Sequence, residues 1–329
     1  MPEQSGLDAK RPTDIPVELL ALWGKSGTPY HPLVAHLLDT AAVALEVLAR
    51  EPSSTRSMHA RDLGLPEAEA LAWTAYWCAL HDLGKATPVF QAEWDEGTVG
   101  VRRAGLNIHP QVPKRGDSLW VAHGALTEHL LGKELISQGV PRQLAARVAK
   151  ALGAHHGFPA TADELNRCLL PTVRGEKPWD DVRRELLHVL QVCLGATQPP
   201  PVEHLNGPAV LRITALACLS DWIASDPALF PYGRDVSRPV TYLQDAKRRA
   251  KEALDRLGWH PRRPLLESPV AFEQVFPELP CTNELQQVVA ESLKVVAKPS
   301  LLLIEAPTGS GKTEAALYAH LELARRWGH

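Results

Sequence analysis

A chain of 329 residues, 45% hydrophobic and 22% charged, has a globular composition and suffices for one large domain or two, each with an adequate core. Its net charge of −3 excludes a protein that coats nucleic acid nonspecifically, but not a local basic groove. The start, Met1-Pro2-Glu3-Gln4-Ser5, lacks the basic and apolar regions of a secretory signal, and Arg212 with Ser220-Asp221 interrupts the longest apolar run, so neither export nor a membrane span is expected. The cysteines (Cys78, Cys168, Cys193, Cys218, Cys281) are odd in number, widely spaced and without a Cys-x-x-Cys pair. They read as reduced core residues of a cytoplasmic protein.

Residues 1–15 are polar and Pro-containing, and are expected to be flexible. Helical apolar spacing then dominates, over 33–48, 68–80, 119–131, 144–152, 182–194 and 208–223. Alanine and leucine fill these segments, and Pro208 suits a first helical turn. Segments rich in Pro, Gly and charge at 50–66, 92–118 and 170–180 read as loops, with Pro199-Pro200-Pro201 a further break. No alternating strand pattern precedes residue 295, so residues 16–235 read as an all-α domain. A charged helix over 245–257, carrying Lys247, Arg248, Arg249 and Lys251, reads as a solvated face within a linker of residues 236–270. The pattern changes after Pro264. Stretches 272–279 and 283–296 lead into Ser300-Leu301-Leu302-Leu303-Ile304-Glu305, an apolar run of the buried parallel-strand kind. Ala306-Pro307-Thr308-Gly309-Ser310-Gly311-Lys312-Thr313 follows at once, then a helical pattern over 313–326. Strand, glycine-rich loop and helix form the context that makes such a loop a phosphate cradle.

The chemistry-bearing side chains of the first region gather at helix ends. His81-Asp82 closes one apolar helix before Gly84, and His155-His156 closes another before Gly157. Asp221 lies near the end of a third helix, while His36 and His123 lie near the starts of two more. Groups so placed can converge on one cleft, whereas helix interiors facing a core would leave them unpaired. Imidazole and carboxylate suit first-row divalent ions. Asp82 could bridge a pair of ions ~3.5–4 Å apart, which would activate a water and clamp phosphoryl oxygens. Lys85 could steady charge developing on the phosphate, and Asp39, three residues after His36, could orient a ligand from behind.

His36, His81-Asp82 and Asp221 in an all-α context resemble the HD phosphohydrolase superfamily, and the additional His123 and His155-His156 resemble its two-metal subset. The strings Leu22-Trp23-Gly24-Lys25, His31-Pro32-Leu33-Val34-Ala35-His36-Leu37-Leu38-Asp39, His81-Asp82-Leu83-Gly84-Lys85, Ala154-His155-His156-Gly157 and Ser220-Asp221-Trp222-Ile223-Ala224-Ser225 are similar to the HD nuclease–helicase family of type I CRISPR systems. The resemblance implies that His36, His81, Asp82 and Asp221 hold one ion, and that Asp82, His123, His155 and His156 hold a second. Asp82 and Lys85 would be the catalytic pair. His31 competes with His36, which is preferred because it sits inside the helical pattern while His31 precedes Pro32. His109 and His129 compete with His123.

The loop 306–313 fits the Walker A pattern of superfamily 2 helicases, with alanine in place of the first glycine. Gly309 and Gly311 would let backbone N–H groups cradle phosphates, Lys312 would reach the terminal phosphates, and Thr313 would ligate magnesium. Gln286, with Gln287 an alternative, resembles an adenine-reading glutamine. The expected fold is mainly α. An all-α HD-type metal phosphohydrolase domain precedes the first strand, P-loop and helix (271–329) of a truncated RecA-like α/β helicase domain. ATP with magnesium would act there only in a complete helicase, so neither ATPase nor helicase activity is expected.

The resemblance implies a metal-dependent endonuclease or exonuclease of antiviral defence. It would cut single-stranded DNA with two divalent transition-metal ions (Mn, Fe, Co or Ni, with Mg possible) and partner a guide-RNA surveillance complex. Two alternatives are an HD-type nucleotide or cyclic-dinucleotide phosphohydrolase and an inactive DNA-binding remnant.

Overall fold

A computed structural model describes residues 14–261, 266–298 and 300–327. The N-terminal stretch expected to be flexible lies outside these residues except for its last two, and Pro264 lies outside them too. The chain forms two compact units. One comprises the described residues up to Ala49 together with Arg56–Trp259, the other Arg50–Thr55 and the described residues from His260 onward.

The first unit is helical with one small hairpin. After a short α1 (Val17–Ala21), strands β1 (Trp23–Lys25) and β2 (His31–Pro32) pair antiparallel, Trp23 opposite Pro32 and Lys25 opposite His31. No strand was expected here, because pairs this short carry no legible alternation. Helix α2 (Leu33–Arg50) follows directly. Then come α3 (Ser53–Leu63), α4 (Glu67–Ala79), a 3₁₀ turn (Leu80–Lys85), α5 (Pro88–Gln91) and α6 (Asp95–Arg103). Next are α7 (His123–Ser137), α8 (Arg142–Gly153), α9 (Ala162–Arg167), α10 (Pro171–Arg174) and α11 (Lys177–Leu194), and the unit closes with α12 (Gly207–Ala224) and α13 (Pro239–Arg256). Three of these, α3, α6 and α10, lie where the sequence reads as loop. The polar α3 shows why, since it buries only His59 and Leu63 and so has no apolar period to read.

Helices α2 and α4 run through the core. Every residue from His31 to Ala44 is buried, as are Trp73, Tyr76 and Trp77. A helix apolar all round is stable only when enclosed. The amphipathic α8, α11 and α13 each turn one face to that core. α13 buries Tyr242, Leu243, Ala246, Ala250, Ala253 and Leu254 and therefore belongs to this unit rather than to a linker. Its charges pair along the exposed side, Arg248 with Asp245 and Glu252, and Lys251 with Asp255. Helix starts are marked chemically. The Asn206 side chain accepts from the Ala209 N–H at 2.8 Å with Pro208 in the first turn of α12, and Gly195 (φ 70°) ends α11 in the left-handed region. Among the described residues α12 alone is long and apolar enough to cross a membrane despite Arg212 and Asp221, yet 44% of it is buried inside the unit.

The second unit packs α14 (Phe272–Val275), α15 (Glu284–Val295) and α16 (Lys312–Trp327) around Phe272, Val289, Leu293, Ala315, Tyr318 and Ala319. The run Leu301–Glu305 is not a paired strand here. Leu301 is 96% and Leu303 85% exposed, because no partner strand lies among the described residues to cover the apolar side chains.

Candidate metal centre

Five segments carry the ligand-type side chains, and close backbone contacts bring several of them together. The 3₁₀ turn presents His81 and Asp82 against the start of α7. There the Gly84 N–H donates to the Thr127 hydroxyl at 2.9 Å, and that hydroxyl donates to the His81 carbonyl at 2.9 Å. A Cβ on Gly84 would lie 2.0 Å from the His123 carbonyl oxygen, so only glycine lets the turn and α7 meet this closely. Gly124 and Gly153 do the same between α7 and α8, since a Cβ on Gly124 would stand 2.6 Å from the Gly153 carbonyl oxygen. This crossing puts His123, the first residue of α7, beside the turn after α8, so that the His123 and His156 Nε2 atoms are 3.0 Å apart. Gly24 of β1 packs on α2 beside His36, its notional Cβ 3.3 Å from that of His36.

The result is two adjoining groups, His36, His81, Asp82 and Asp221 in one and His123, His155 and His156 in the other. Asp82 faces both. Its Oδ2 lies 3.1 Å from His36 Nε2 and 3.4 Å from His81 Nε2, while its Oδ1 lies 3.2 Å from His123 Nε2 and 3.7 Å from His155 Nε2. Asp221 Oδ1 completes the first group at 3.2 Å from His36 and 3.4 Å from His81. Behind the ligands, backbone carbonyls fix two rings. His81 Nδ1 donates to the Cys78 carbonyl at 2.9 Å and His155 Nδ1 to the Leu152 carbonyl at 2.7 Å, leaving each Nε2 directed inward.

These residues fit divalent metal. His36 Nε2, His81 Nε2, Asp82 Oδ1 and His155 Nε2 are all buried without a hydrogen bond of acceptable geometry. Four unsatisfied buried polar atoms would cost several kcal/mol unless something bound them. The set of imidazoles and two carboxylates is one that transition-metal ions favour. The first group is enclosed, while His123 and His156 reach the surface, which gives the second group access to solvent.

Charge distribution in the protein alone is uneven. Burial disfavours a charged His81, but the Asp82 and Asp221 carboxylates outweigh it and push the imidazole up to about 9. Burial and then His81 drive His155 the other way, down to about 3. Burial also lowers His36, with Lys25 adding to it. Against the cost of burial, Lys85 and His81 hold Asp82 well below the usual carboxylate range, and His36 and His81 hold Asp221 low likewise.

Seven sequence-identified residues thus come together: His36, His81, Asp82, His123, His155, His156 and Asp221. Lys85 adjoins them, its ammonium 2.6 Å from Asp82 Oδ2 and donating to the Gly24 carbonyl at 3.2 Å. His31, His109 and His129 stand outside the groups. Asp39 does not orient His36. Its carboxylate binds His31 Nε2 at 2.9 Å, Arg234 at 2.7 Å and the Tyr242 hydroxyl at 3.0 Å, joining β2, α2 and α13, while His36 Nδ1 has no hydrogen-bond partner. Sequence reasoning missed the structural roles of Thr127, the contact glycines and Lys25, although Gly84, Gly124 and Gly153 stand within three residues of ligand histidines.

In the second unit the loop 306–313 borders a cleft with Asn283 and Gln286. Gly309 (φ 81°) and Gly311 (φ 78°) take left-handed conformations that favour glycine. Lys312 Nζ donates to the carbonyls of Ala306 and Pro307 at 2.6 and 2.7 Å, occupying the hollow of the loop, and Thr313 follows in the first turn of α16. The Gln286 side chain closes the capping box of α15 and reaches toward the Gly311 carbonyl, whereas Gln287 turns to Thr282.

Comparison with known proteins agrees with this arrangement. The profile described as "Cas3, HD domain" matches residues 23–230. The CRISPR-associated endonuclease/helicase Cas3 of Thermus thermophilus is 52% identical over 316 residues, covering 94% of this chain and 33% of the relative, so the chain spans about a third of that protein's length. A crystal structure of the Thermus thermophilus Cas3 HD domain in the presence of Ni²⁺ is 50% identical with a TM-score of 0.60, covering 74% of this chain and 92% of that one. A chain of a CRISPR RNA-guided surveillance complex in a pre-nicking state is 27% identical with a TM-score of 0.70, covering 93% of this chain and 35% of that one. On this evidence the chain belongs to the Cas3 family and carries its HD domain.

Proposed function

We propose that this HD domain is a metal-dependent nuclease that hydrolyses phosphodiester bonds of single-stranded DNA, using two divalent transition-metal ions. The observation that carries the reading is Asp82, whose two oxygens face two separate sets of imidazoles. His36, His81, Asp82 and Asp221 would hold one ion, and Asp82, His123, His155 and His156 the other. When bound, such a pair supplies a water of lowered pKa and neutralises the phosphoryl oxygens. The remaining work belongs to the protein. Backbone carbonyls of Cys78 and Leu152 hold the imidazoles in the ligating tautomer, and Lys85 fixes the orientation of Asp82. The solvent-facing His123 and His156 mark the side from which a flexible strand enters. A duplex is too stiff to bend its backbone into so enclosed a centre.

A relative at 52% identity is named as endonuclease and helicase, and one structural neighbour belongs to a guide-RNA surveillance complex. This supports a role in CRISPR defence with such a complex as partner. The loop at 306–313 is proposed to bind ATP phosphates through the N–H groups around Gly309 and Gly311, once Lys312 leaves its carbonyl partners for the phosphates.

The test is incubation with circular single-stranded DNA and Mn²⁺, Co²⁺, Ni²⁺ or Mg²⁺, without ATP, beside Asp82→Ala. Metal-dependent linearisation absent from the variant is expected. Hydrolysis of cyclic dinucleotides with intact circles would instead assign a small-molecule phosphohydrolase.

A further inference from the structure

Two lysines approach the centre, and they are held differently. Lys85 is enclosed, its side chain only 7% exposed, with its ammonium 2.6 Å from Asp82 Oδ2 and bonded to the Gly24 carbonyl. Its charge is committed to the bridging carboxylate. Lys25, on β1, keeps a quarter of its side chain in solvent, and its ammonium stands 3.8 Å from Asp221 Oδ1, too far for a hydrogen bond. Its backbone is nevertheless fixed. The buried Gln91 amide donates to the Trp23 carbonyl and the Lys85 carbonyl, both at 2.9 Å, tying β1 to the turn that bears Asp82.

We infer that Lys25, rather than Lys85, is the cation that contacts the non-bridging oxygens of the scissile phosphate, Lys85 being a positioning residue for Asp82. The inference rests on the phosphodiesterase reading above. A phosphate reaching the centre meets a partly exposed ammonium on a strand tied to the turn that bears Asp82, beside a carboxylate whose charge an ion would take over. Lys85 could turn to a phosphate only by giving up both its 2.6 Å ion pair with Asp82 and its bond to the Gly24 carbonyl. A lysine suits the task as a compact charge on a flexible stem, and a charge-assisted bond to a phosphoryl oxygen is among the stronger hydrogen bonds.

The experiment compares the parent chain, Lys25→Met and Lys25→Arg, each loaded with Ni²⁺, with circular dichroism as the check on folding. Metal content is measured by mass spectrometry, inorganic phosphate binding by calorimetry, and hydrolysis with bis(4-nitrophenyl) phosphate and circular single-stranded DNA. Unchanged metal content is expected in all three. Lys25→Met should bind phosphate at least ~10-fold more weakly and lose ~10²-fold in kcat, with Lys25→Arg recovering most of both. Unchanged phosphate affinity in Lys25→Met overturns the inference, as does loss of activity in proportion to lost metal. Failure of the parent to cut DNA while the phosphate result holds refutes the nuclease reading and leaves Lys25 as a phosphate ligand.

Discussion

The contact between Gly84 and the start of α7 makes the sharpest prediction, because one methyl group tests how the site is assembled. Gly84→Ala would place a carbon 2.0 Å from the His123 carbonyl oxygen and 2.8 Å from the Thr127 nitrogen, where ordinary contact begins at 3.4 Å. Backbone atoms cannot swing aside as a side chain can, so the turn and α7 must separate by more than ~1 Å, at an overpacking cost of ~1–3 kcal/mol. Separation also stretches both bonds of the Thr127 hydroxyl, at ~1 kcal/mol each. Gly84 does not use the left-handed region, so alanine suffers no backbone strain to confuse the result. A loss of ~3–5 kcal/mol corresponds to a fall of ~6–20 °C in melting temperature for a unit of this size. His123 Nε2 would also withdraw from Asp82 Oδ1, now 3.2 Å away. Calorimetric melting and metal analysis together check this. Gly84→Ala should melt lower and retain less metal than the parent, whereas Thr127→Val, which lacks the clash, should lose only the hydrogen-bond share. A Gly84→Ala chain with parental melting temperature and full metal content would refute the reasoning.

Three further outcomes are expected. Asp82→Asn removes the carboxylate whose two oxygens face both groups, so metal should no longer be retained stoichiometrically and the proposed cleavage should disappear, as metal analysis and a nicking assay would show. Asp39→Asn weakens the carboxylate hub shared by His31, Tyr242 and the half-buried Arg234, which keeps Asp245 at 3.2 Å, and should cost ~1–3 kcal/mol in denaturant titrations. It should still bind metal at low temperature, because Asp39 touches none of the ligands. Finally, His81, pushed up to about 9, carries a proton that an ion must displace. Below that pH, apparent affinity should therefore rise about tenfold per pH unit and level off above it, while His155, down at about 3, contributes nothing in this range. Calorimetry in buffers of different ionisation enthalpy at pH 7.5 should register about one proton released from His81.

The long helices were legible because α8 and α11 carry an apolar period and α2, α4 and α12 are apolar runs too long for strands, and the ligand residues stood out because they cluster at helix ends. Distance in sequence hid the rest. Nothing near Asp39 announces Arg234, 195 positions away, or Tyr242, 203 away, yet these take the carboxylate that local spacing had lent to His36. The hairpin escaped notice because two- and three-residue strands lack a period, and α3 because a polar helix lacks an apolar one. The apolar run before the phosphate loop was read as a strand from composition alone, but a strand exists only with neighbours, and Leu301 and Leu303 face solvent. Lys25 was visible in its motif, though only the fold shows that it and Lys85 meet the centre on unequal terms.

Removing metal tests whether the site is a cofactor cradle or only a polar patch in the core. His36 Nε2, His81 Nε2, Asp82 Oδ1 and His155 Nε2 are buried and unsatisfied, each at a cost of ~1–3 kcal/mol without a partner. An ion that satisfies them binds the folded chain and has no comparable site in the unfolded one, so it stabilises by RT ln(1 + [L]/Kd), ~2.7 kcal/mol for each ion at a hundredfold excess over Kd. Two ions at that excess should raise the melting temperature by ~10–20 °C over the chelated chain, and each further tenfold of metal should add about 1.4 kcal/mol per ion. Ni²⁺ and Mn²⁺ should exceed Mg²⁺, since imidazole is a poor ligand for the harder ion. His31→Gln, outside both groups, should keep the metal-dependent rise on a lowered baseline, whereas Asp82→Asn should abolish it. If chelated and Ni²⁺-loaded chains melted together, or if Mg²⁺ matched Ni²⁺, these histidines would not be metal ligands. The unsatisfied atoms would then have to be explained as strain within the core.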